Sequence, residues 1–214
     1  MNRLLLILLA CSLLVACYRG GDAPPEQSHA TAKKAGKKKS VRRIKLYRYD
    51  DFSVAKAQSL AASLRAYYPA VEVKSAPIAL PVEHYNKPRN RYSATGLLKD
   101  LLRYRKDDVA LGLTDEVVFI ANEMSPTYGI FGASPVGMYV AVISSTRPSG
   151  KPHSSDHLTK LMLHELGHAF GLQHCGNQHC FMVDAEHGNK FSQTPSFCGQ
   201  CRKFLNANGW TVKP

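Results

Sequence analysis

The sequence predicts an α/β fold, an α/β sandwich in which a mixed sheet is covered by helices, and three observations predict it. Segments of strand length that alternate or run apolar, "VRRIKLYRY" (41–49), "AVEVK" (70–74), "DEVVFIANE" (115–123) and "GMYVAVISST" (137–146), are interleaved with segments whose apolar residues recur at helical spacing. The resulting order of strand, helix, strand, helix, strand, strand, helix is that of layered α/β domains. Four of the six cysteines, Cys175, Cys180, Cys198 and Cys201, lie in the last forty residues and mark a small cysteine-rich C-terminal part. With 214 residues, 44% of them hydrophobic, the chain can bury one core in one domain once an N-terminal tail is set aside.

Taken in order, residues 1–17, "MNRLLLILLACSLLVAC", carry one arginine and then an apolar run from Leu4 to Ala16. They read as an export signal, since the run falls short of the roughly twenty apolar residues that a membrane-spanning helix needs. The ending "LVAC" resembles a bacterial lipoprotein signal, which would make Cys17 the acylated first residue of the mature protein, with Cys11 as a weaker rival site. Residues 18–42, rich in Gly, Pro, Ala and Lys and without apolar period, read as a disordered tether spanning about 30 Å as a flexible coil. The domain proper is expected over 43–214.

Within it, 41–49 alternates as an opening strand, and 50–69 places Phe52, Ala55, Leu60, Leu64 and Tyr67 near one helical face before Pro69 stops it. Residues 76–93 hold three prolines and read as loop, whereas 94–106 is a helix buried through Leu97, Leu98, Leu101 and Leu102. The run 115–123 is expected to be a central strand buried on both faces, and 137–146 a further strand followed by a turn-rich loop over 147–157. A helix then runs from Asp156 to Gly171 with Leu158, Leu161, Met162, Leu166 and Ala169 in register.

Charge distribution narrows the function classes. The net charge is +12, but residues 18–43 hold eight Lys or Arg against two acids and Arg3 sits in the signal, leaving +5 on residues 44–214. A basic run beside a lipid anchor is a solvated spacer that favours anionic headgroups. No basic face interleaved with aromatics follows it, so no nucleic-acid partner is expected.

The chemistry concentrates in "HELGHAFGLQHCGNQHC" (164–180). His164 and His168 are four apart, so on a helix both imidazoles aim at one point, with Glu165 beside them and able to reach a metal-bound water. Gly171 lets the chain leave the helix through a left-handed cap, and His174 can return to the same metal. Three neutral imidazoles leave a fourth tetrahedral position open, the pattern of a catalytic zinc. A bare H-E-x-x-H arises by chance easily enough, but Gly171 and His174 at the further offsets make chance a poor account. Cys198 and Cys201 form a C-x-x-C, and with Cys175 and Cys180 can close a four-thiolate structural zinc site. In an exported protein the rival reading is disulfides. The adjacency of His174 and Cys175 then has successive residues pointing to different metals. The remaining histidines, His29, His84, His153, His157, His179 and His187, read as surface or locally hydrogen-bonded residues.

"HELGHAFGLQHC", "GNQHCFM" and "CGQC" resemble the archaemetzincins, metzincin-type metalloproteases whose signature is H-E-x-x-H-x-x-G-x-x-H-C, four residues, C-x-M, a spacer and C-x-x-C. The matching residues are His164, Glu165, His168, Gly171, His174, Cys175, Cys180, Met182, Cys198 and Cys201. "YNKPRNRYSATGLL", "ALGLTDEVVFI" and "YGIFGAS" extend the likeness over 43–214. Two features depart from the pattern: the spacer from Met182 to Cys198 holds fifteen residues, slightly fewer than usual, and the lipoprotein signal is an addition. The resemblance implies a metzincin-like sandwich and two Zn2+ per chain. The catalytic zinc would sit on His164, His168 and His174 and the structural one on the four cysteines, with Met182 in a Met turn beneath the first.

The expected activity is therefore zinc-dependent hydrolysis of peptide bonds, with Glu165 as base toward a zinc-bound water whose pKa is lowered to about 7. The segment "GMYVAVISS" is the expected sheet edge against which an extended substrate pairs. The partners expected are a peptide or protein substrate and, through the lipid anchor, the membrane of a bacterial cell envelope; the chain is expected to be a monomer. The alternative is a zinc-binding envelope protein with little turnover that acts as a binding module. Glu165 argues against it, since a purely structural site has no use for a carboxylate beside an open metal position.

Overall fold

Buried apolar runs and capped amphipathic helices alternate along the chain, and the computed structural model describes them over residues 42–50, 52–122, 125–184 and 194–214. The export signal, Cys17, all of the tether before Arg42, His29 and His187 lie outside the described residues. In chain order the elements are β1 (Ile44–Arg48), α1 (Val54–Arg65), β2 (Val71–Val73), β3 (Tyr85–Asn86), β4 (Arg91–Ser93) and α2 (Ala94–Arg105). They continue with β5 (Val109–Thr114), β6 (Val118–Ile120), β7 (Tyr128–Ile130), β8 (Gly132–Ala133), β9 (Val140–Ser144), α3 (Ser155–Phe170) and α4 (Gly199–Asn206).

The main sheet has the order β2-β1-β5-β9-β8, parallel except for the antiparallel pair β8 and β9. Every residue of β5 and β9 is buried, as befits parallel strands covered on both faces. One face carries α1 and α3, whose Leu60, Leu64, Leu161 and Leu166 pack on Leu111 and Ile143. The other carries α2, whose Leu97, Leu98 and Leu101 pack on Ala110 and Val142. Leu102, expected in that stripe, is among the exposed apolar residues, and Ala55 is exposed because the buried face of α1 is Ala57, Leu60, Ala61 and Leu64.

Two expectations about strands are corrected. The central strand is β5, whereas Val118–Ile120 belongs to a second, smaller sheet of order β3-β4-β6-β7 and is only partly buried. Asp115 and Glu116 divide the two: Thr114 Oγ1 accepts the N–H of Glu116 at 3.0 Å, and the chain turns where charges cannot enter the covered sheet. Gly112 weakens β5 as a sequence signal, yet the strand needs it, because a Cβ there would sit 2.7 Å from Leu101 and 2.9 Å from Tyr49. The segment 137–145 is likewise no sheet edge. Its strand β9 is paired on both sides, with β5 and with β8, and β8 is the edge. The loop 76–93 in turn contains two 3-10 turns and the short β3–β4 pair.

The motif-bearing helix follows its sequence signals. Ser154 caps α3 by accepting the N–H of His157, and Gly171 ends it at φ +115° with its own N–H on the carbonyls of Gly167 and His168. Beyond it, α4 starts at the cysteine pair, and Trp210 packs edge-on against Tyr68 and Phe170, closing the C-terminal part onto the core.

Candidate active site

Helix α3 sets His164 and His168 one turn apart and buries both. The Nδ1–H of His164 donates to the carbonyl of Phe181 at 2.7 Å, and that of His168 donates to the carbonyl of Leu172 at 2.8 Å. A carbonyl only accepts, so each proton sits on Nδ1 and each Nε2 presents a bare lone pair. Those two Nε2 atoms face one another at 3.1 Å. Two lone pairs so close repel, whereas a tetrahedral zinc at about 2.0–2.1 Å from each nitrogen would hold them about 3.3 Å apart. The left-handed turn at Gly171 brings His174 to the same point: its ring centroid lies 5.4 Å from that of His164 and 4.8 Å from that of His168. The ligand atoms of the three lie within 4.8 Å of one another. Burial, reinforced by the imidazole of His168, holds His164 down to about 3, and burial also lowers His168, so both stay in the neutral form that binds metal.

Glu165 is 6% exposed and lies under the edge strand. A Cβ on Gly132 would come within 2.9 Å of its Cγ and 3.1 Å of its Oε1, so only a glycine lets β8 pass so near the carboxyl group. Burial pushes that group up to about 8. A carboxyl in that condition is poised to take and return protons at neutral pH, and a cation on the neighbouring imidazoles would favour its charged form.

Met182 is fully buried and packs against α3 at Gly167. Gly167, between His164 and His168 on the helix, leaves room for it: a Cβ there would be 2.4 Å from the methionine Sδ. Beyond it, the four cysteines are free thiols whose sulfurs lie within 4.8 Å of one another, with Cys175 and Cys198 at 3.8 Å. That distance rejects a disulfide, about 2.05 Å, and equals the sulfur separation of about 3.8 Å around a tetrahedral zinc with 2.3 Å bonds. The Cys180 sulfur accepts a hydrogen bond from Cys201 and the N–H groups of Cys198 at 3.3 Å and Met182 at 3.5 Å, and these bonds pull its thiol down to about 5. Cys201, donor to that thiolate and itself buried, is pushed up. His174 and Cys175, though consecutive, thus serve different clusters.

Of the other described histidines, His179 is exposed, as expected. His153 and His157 are not surface residues: they stack at 4.4 Å, both against Phe131. His84 bonds Asp100 at 3.1 Å, and with Glu83 they form a third group of potential metal donors. There Asp100 also pairs with Arg103 of its own helix at 3.5 Å, and the His84–Asp100 bond pins the 76–93 loop to α2. Sequence reasoning did not single out Gly132, Gly167 or Asp184, whose carboxylate faces His174 at 3.5 Å. Only the glycine inside "HELGH" carried a signal, as a helix breaker with no helix break to explain it.

Peptidase family M54 matches residues 62–207. The archaemetzincin of Methanopyrus kandleri is 34% identical over 149 residues, covering 66% of this chain and 81% of its own, and that of Nanoarchaeum equitans is 27% identical over 146 residues, covering 68% and 80%. The crystal structure of the Methanopyrus kandleri archaemetzincin superposes with a TM-score of 0.62 at 28% identity, over 78% of this chain and 94% of that one. The Archaeoglobus fulgidus archaemetzincin, solved with malonate, gives 0.63 at 24% identity over 76% and 99%, a likeness of fold. A buried glutamate beside converging imidazoles, on a fold and a sequence shared with these proteins, leads to one assignment: the chain belongs to peptidase family M54, the archaemetzincins, and is a zinc metallopeptidase.

Proposed function

We propose that the chain hydrolyses peptide bonds at a zinc held by His164, His168 and His174, with Glu165 as the base, and that a second, structural zinc sits on Cys175, Cys180, Cys198 and Cys201. The observation that carries the reading is the pair of bare Nε2 lone pairs at 3.1 Å, fixed by Nδ1 bonds to two carbonyls, with a buried carboxyl group beside them. Zinc there supplies Lewis acidity toward the scissile carbonyl and brings the pKa of a water molecule near 7. Glu165 takes the proton from that water as it attacks, then gives it to the leaving amine. An extended substrate pairs with the open side of β8, whose Gly132 lies directly over Glu165, so backbone bonds align the chain without reading its sequence. Met182 supports the site from below by filling the space that Gly167 leaves.

The same reading extends to place and partners. Residues 1–17 are a lipoprotein-type signal with Cys17 as the lipid attachment site, 18–42 a basic tether, and the monomeric enzyme domain sits at a bacterial cell envelope facing peptide or protein substrates. Its support is the "LVAC" ending, the short apolar run and the lysine-rich composition that follows.

The experiment is zinc counting and a peptide-library assay on the parent and on Glu165→Gln. Two zincs in both proteins are expected, with cleavage by the parent and a loss of about 10²–10⁴-fold in the variant. Undiminished cleavage by Glu165→Gln removes the base, and two zincs without cleavage in the parent favour a binding module.

A further inference from the structure

The three histidines differ in what holds the nitrogen turned away from their meeting point. His164 and His168 are buried and tied to main-chain carbonyls, which the fold itself fixes. His174 is 44% exposed, and its Nδ1 faces instead the carboxylate oxygen Oδ2 of Asp184 at 3.5 Å. We propose that Asp184 is the positioning residue for His174, fixing the ring so that Nε2 is presented to the metal and thereby controlling how fast zinc leaves the three-histidine site. The inference rests on the reading of those histidines as zinc ligands.

The chain around the pair is built to hold it. Cys175 and Val183 form a parallel bridge, the N–H of Cys175 donates to the carbonyl of Met182 at 2.7 Å, and the N–H of Val183 donates to that of Cys180 at 3.0 Å. His174 immediately precedes one bridged residue and Asp184 immediately follows the other. A carboxylate half exposed on a loose loop would wander, but this one directly follows Val183, which is held by its bond to Cys180 and its bridge to Cys175. An imidazole open to water exchanges between its two tautomers and can swing away from the metal. A carboxylate facing Nδ1 favours the tautomer that carries the proton there and leaves Nε2 bare, and it holds the ring's orientation. The loss of such a partner weakens metal binding about 10–100-fold. His164 and His168 cannot swing out of the core, so His174 is the arm through which the metal escapes, and Asp184 is its latch.

The test follows zinc passing from the fully loaded, full-length protein to a chromogenic chelator. The parent releases two equivalents in two phases, and His168→Ala identifies the phase that belongs to the histidines. Asp184→Asn is expected to speed that phase about 10–100-fold while leaving the cysteine phase, and the unfolding midpoint of the metal-free protein, unchanged. Asp184→Glu, which keeps the carboxylate, should return the rate toward that of the parent. A histidine phase unaltered in Asp184→Asn overturns the proposal, and so does equal acceleration of both phases, which would make Asp184 a general prop of the loop. A parent that releases a single equivalent, sensitive to cysteine but not to histidine substitution, overturns the zinc reading of the histidines and this inference with it.

Discussion

Replacing Gly167 with alanine probes the contact that joins the histidine-bearing helix α3 to Met182. At an open helical position the change would stabilise the protein by about 1 kcal/mol. Here the new Cβ would stand 2.4 Å from Met182 Sδ and 3.1 Å from its Cε, where ordinary contacts need about 3.5–4.0 Å. Met182 is fully enclosed, and Leu172 Cδ1 stands 3.6 Å from the same Cβ, so making room requires buried side chains around the methionine to shift. Overpacking of this kind costs about 1–3 kcal/mol, which cancels the propensity gain or exceeds it by up to about 2 kcal/mol. In a Met182→Ala background the obstacle is gone, and the same change should stabilise by up to about 1 kcal/mol. The coupling between the two substitutions is then about 1–3 kcal/mol, or a difference in thermal midpoint on the order of 2–12 °C for a domain of this size. The assay is unfolding of all four proteins of the cycle at one fixed free zinc concentration, because unequal metal loading would shift the midpoints by mass action. Gly167→Ala stabilising equally in both backgrounds would refute the reasoning, since it would mean that Met182 does not fill the space at Gly167.

Two further outcomes follow from the same geometry. Gly132→Ala directs a Cβ at the Glu165 side chain and at the Val142 carbonyl, 3.0 Å away, and should lower turnover about 10²-fold with zinc content preserved; full activity would show that the carboxyl group has room to spare. His153 is held down to about 4, first by burial and then by the charges of His157, Arg147 and Lys56. Its folded value lies below the unfolded value of about 6.5, so the stability it contributes is complete above that pH and is lost as pH falls toward 4. Denaturant titrations across pH 7 to 4 should therefore show a steeper decline for the parent than for His153→Asn, and parallel declines would remove His153 as a cause.

What could be read from the sequence was what short-range geometry decides. His164 and His168 meet because they are one turn apart, Ser154 and Gly171 bound the helix by local capping, and the cysteine spacings leave few arrangements other than a cluster. What escaped was decided by partners distant in the chain. Val109–Thr114 became the central strand through pairing with Ile44–Arg48 and Val140–Ser144, and no period within six residues containing a glycine announces that. Gly132 matters because Glu165 lies 33 positions later, and β9 lost its expected role as the edge to a two-residue strand too short to leave a pattern. His153 and His157 read as polar loop residues, yet His157 is buried and His153 partly so, because Phe131, outside their segment, packs edge-on against both.

The segment between α3 and α4 explains why the two clusters are interleaved rather than separate. From Gly171 to Cys198 the described residues form no helix and no strand, only isolated bridges, and a connection of that length in a compact domain needs something other than a hydrogen-bonded ladder to order it. Its fixed points alternate between the sites. Leu172 and Phe181 give their carbonyls to His168 and His164, while Cys175 and Cys180 turn to the sulfur cluster. Phe181 also donates its N–H to Ser196 at 3.0 Å, which draws in the approach to Cys198. On the proposed two-zinc reading, metal at either cluster would order backbone that the other needs, and the conformational entropy of the shared segment would be lost once for two sites instead of once for each.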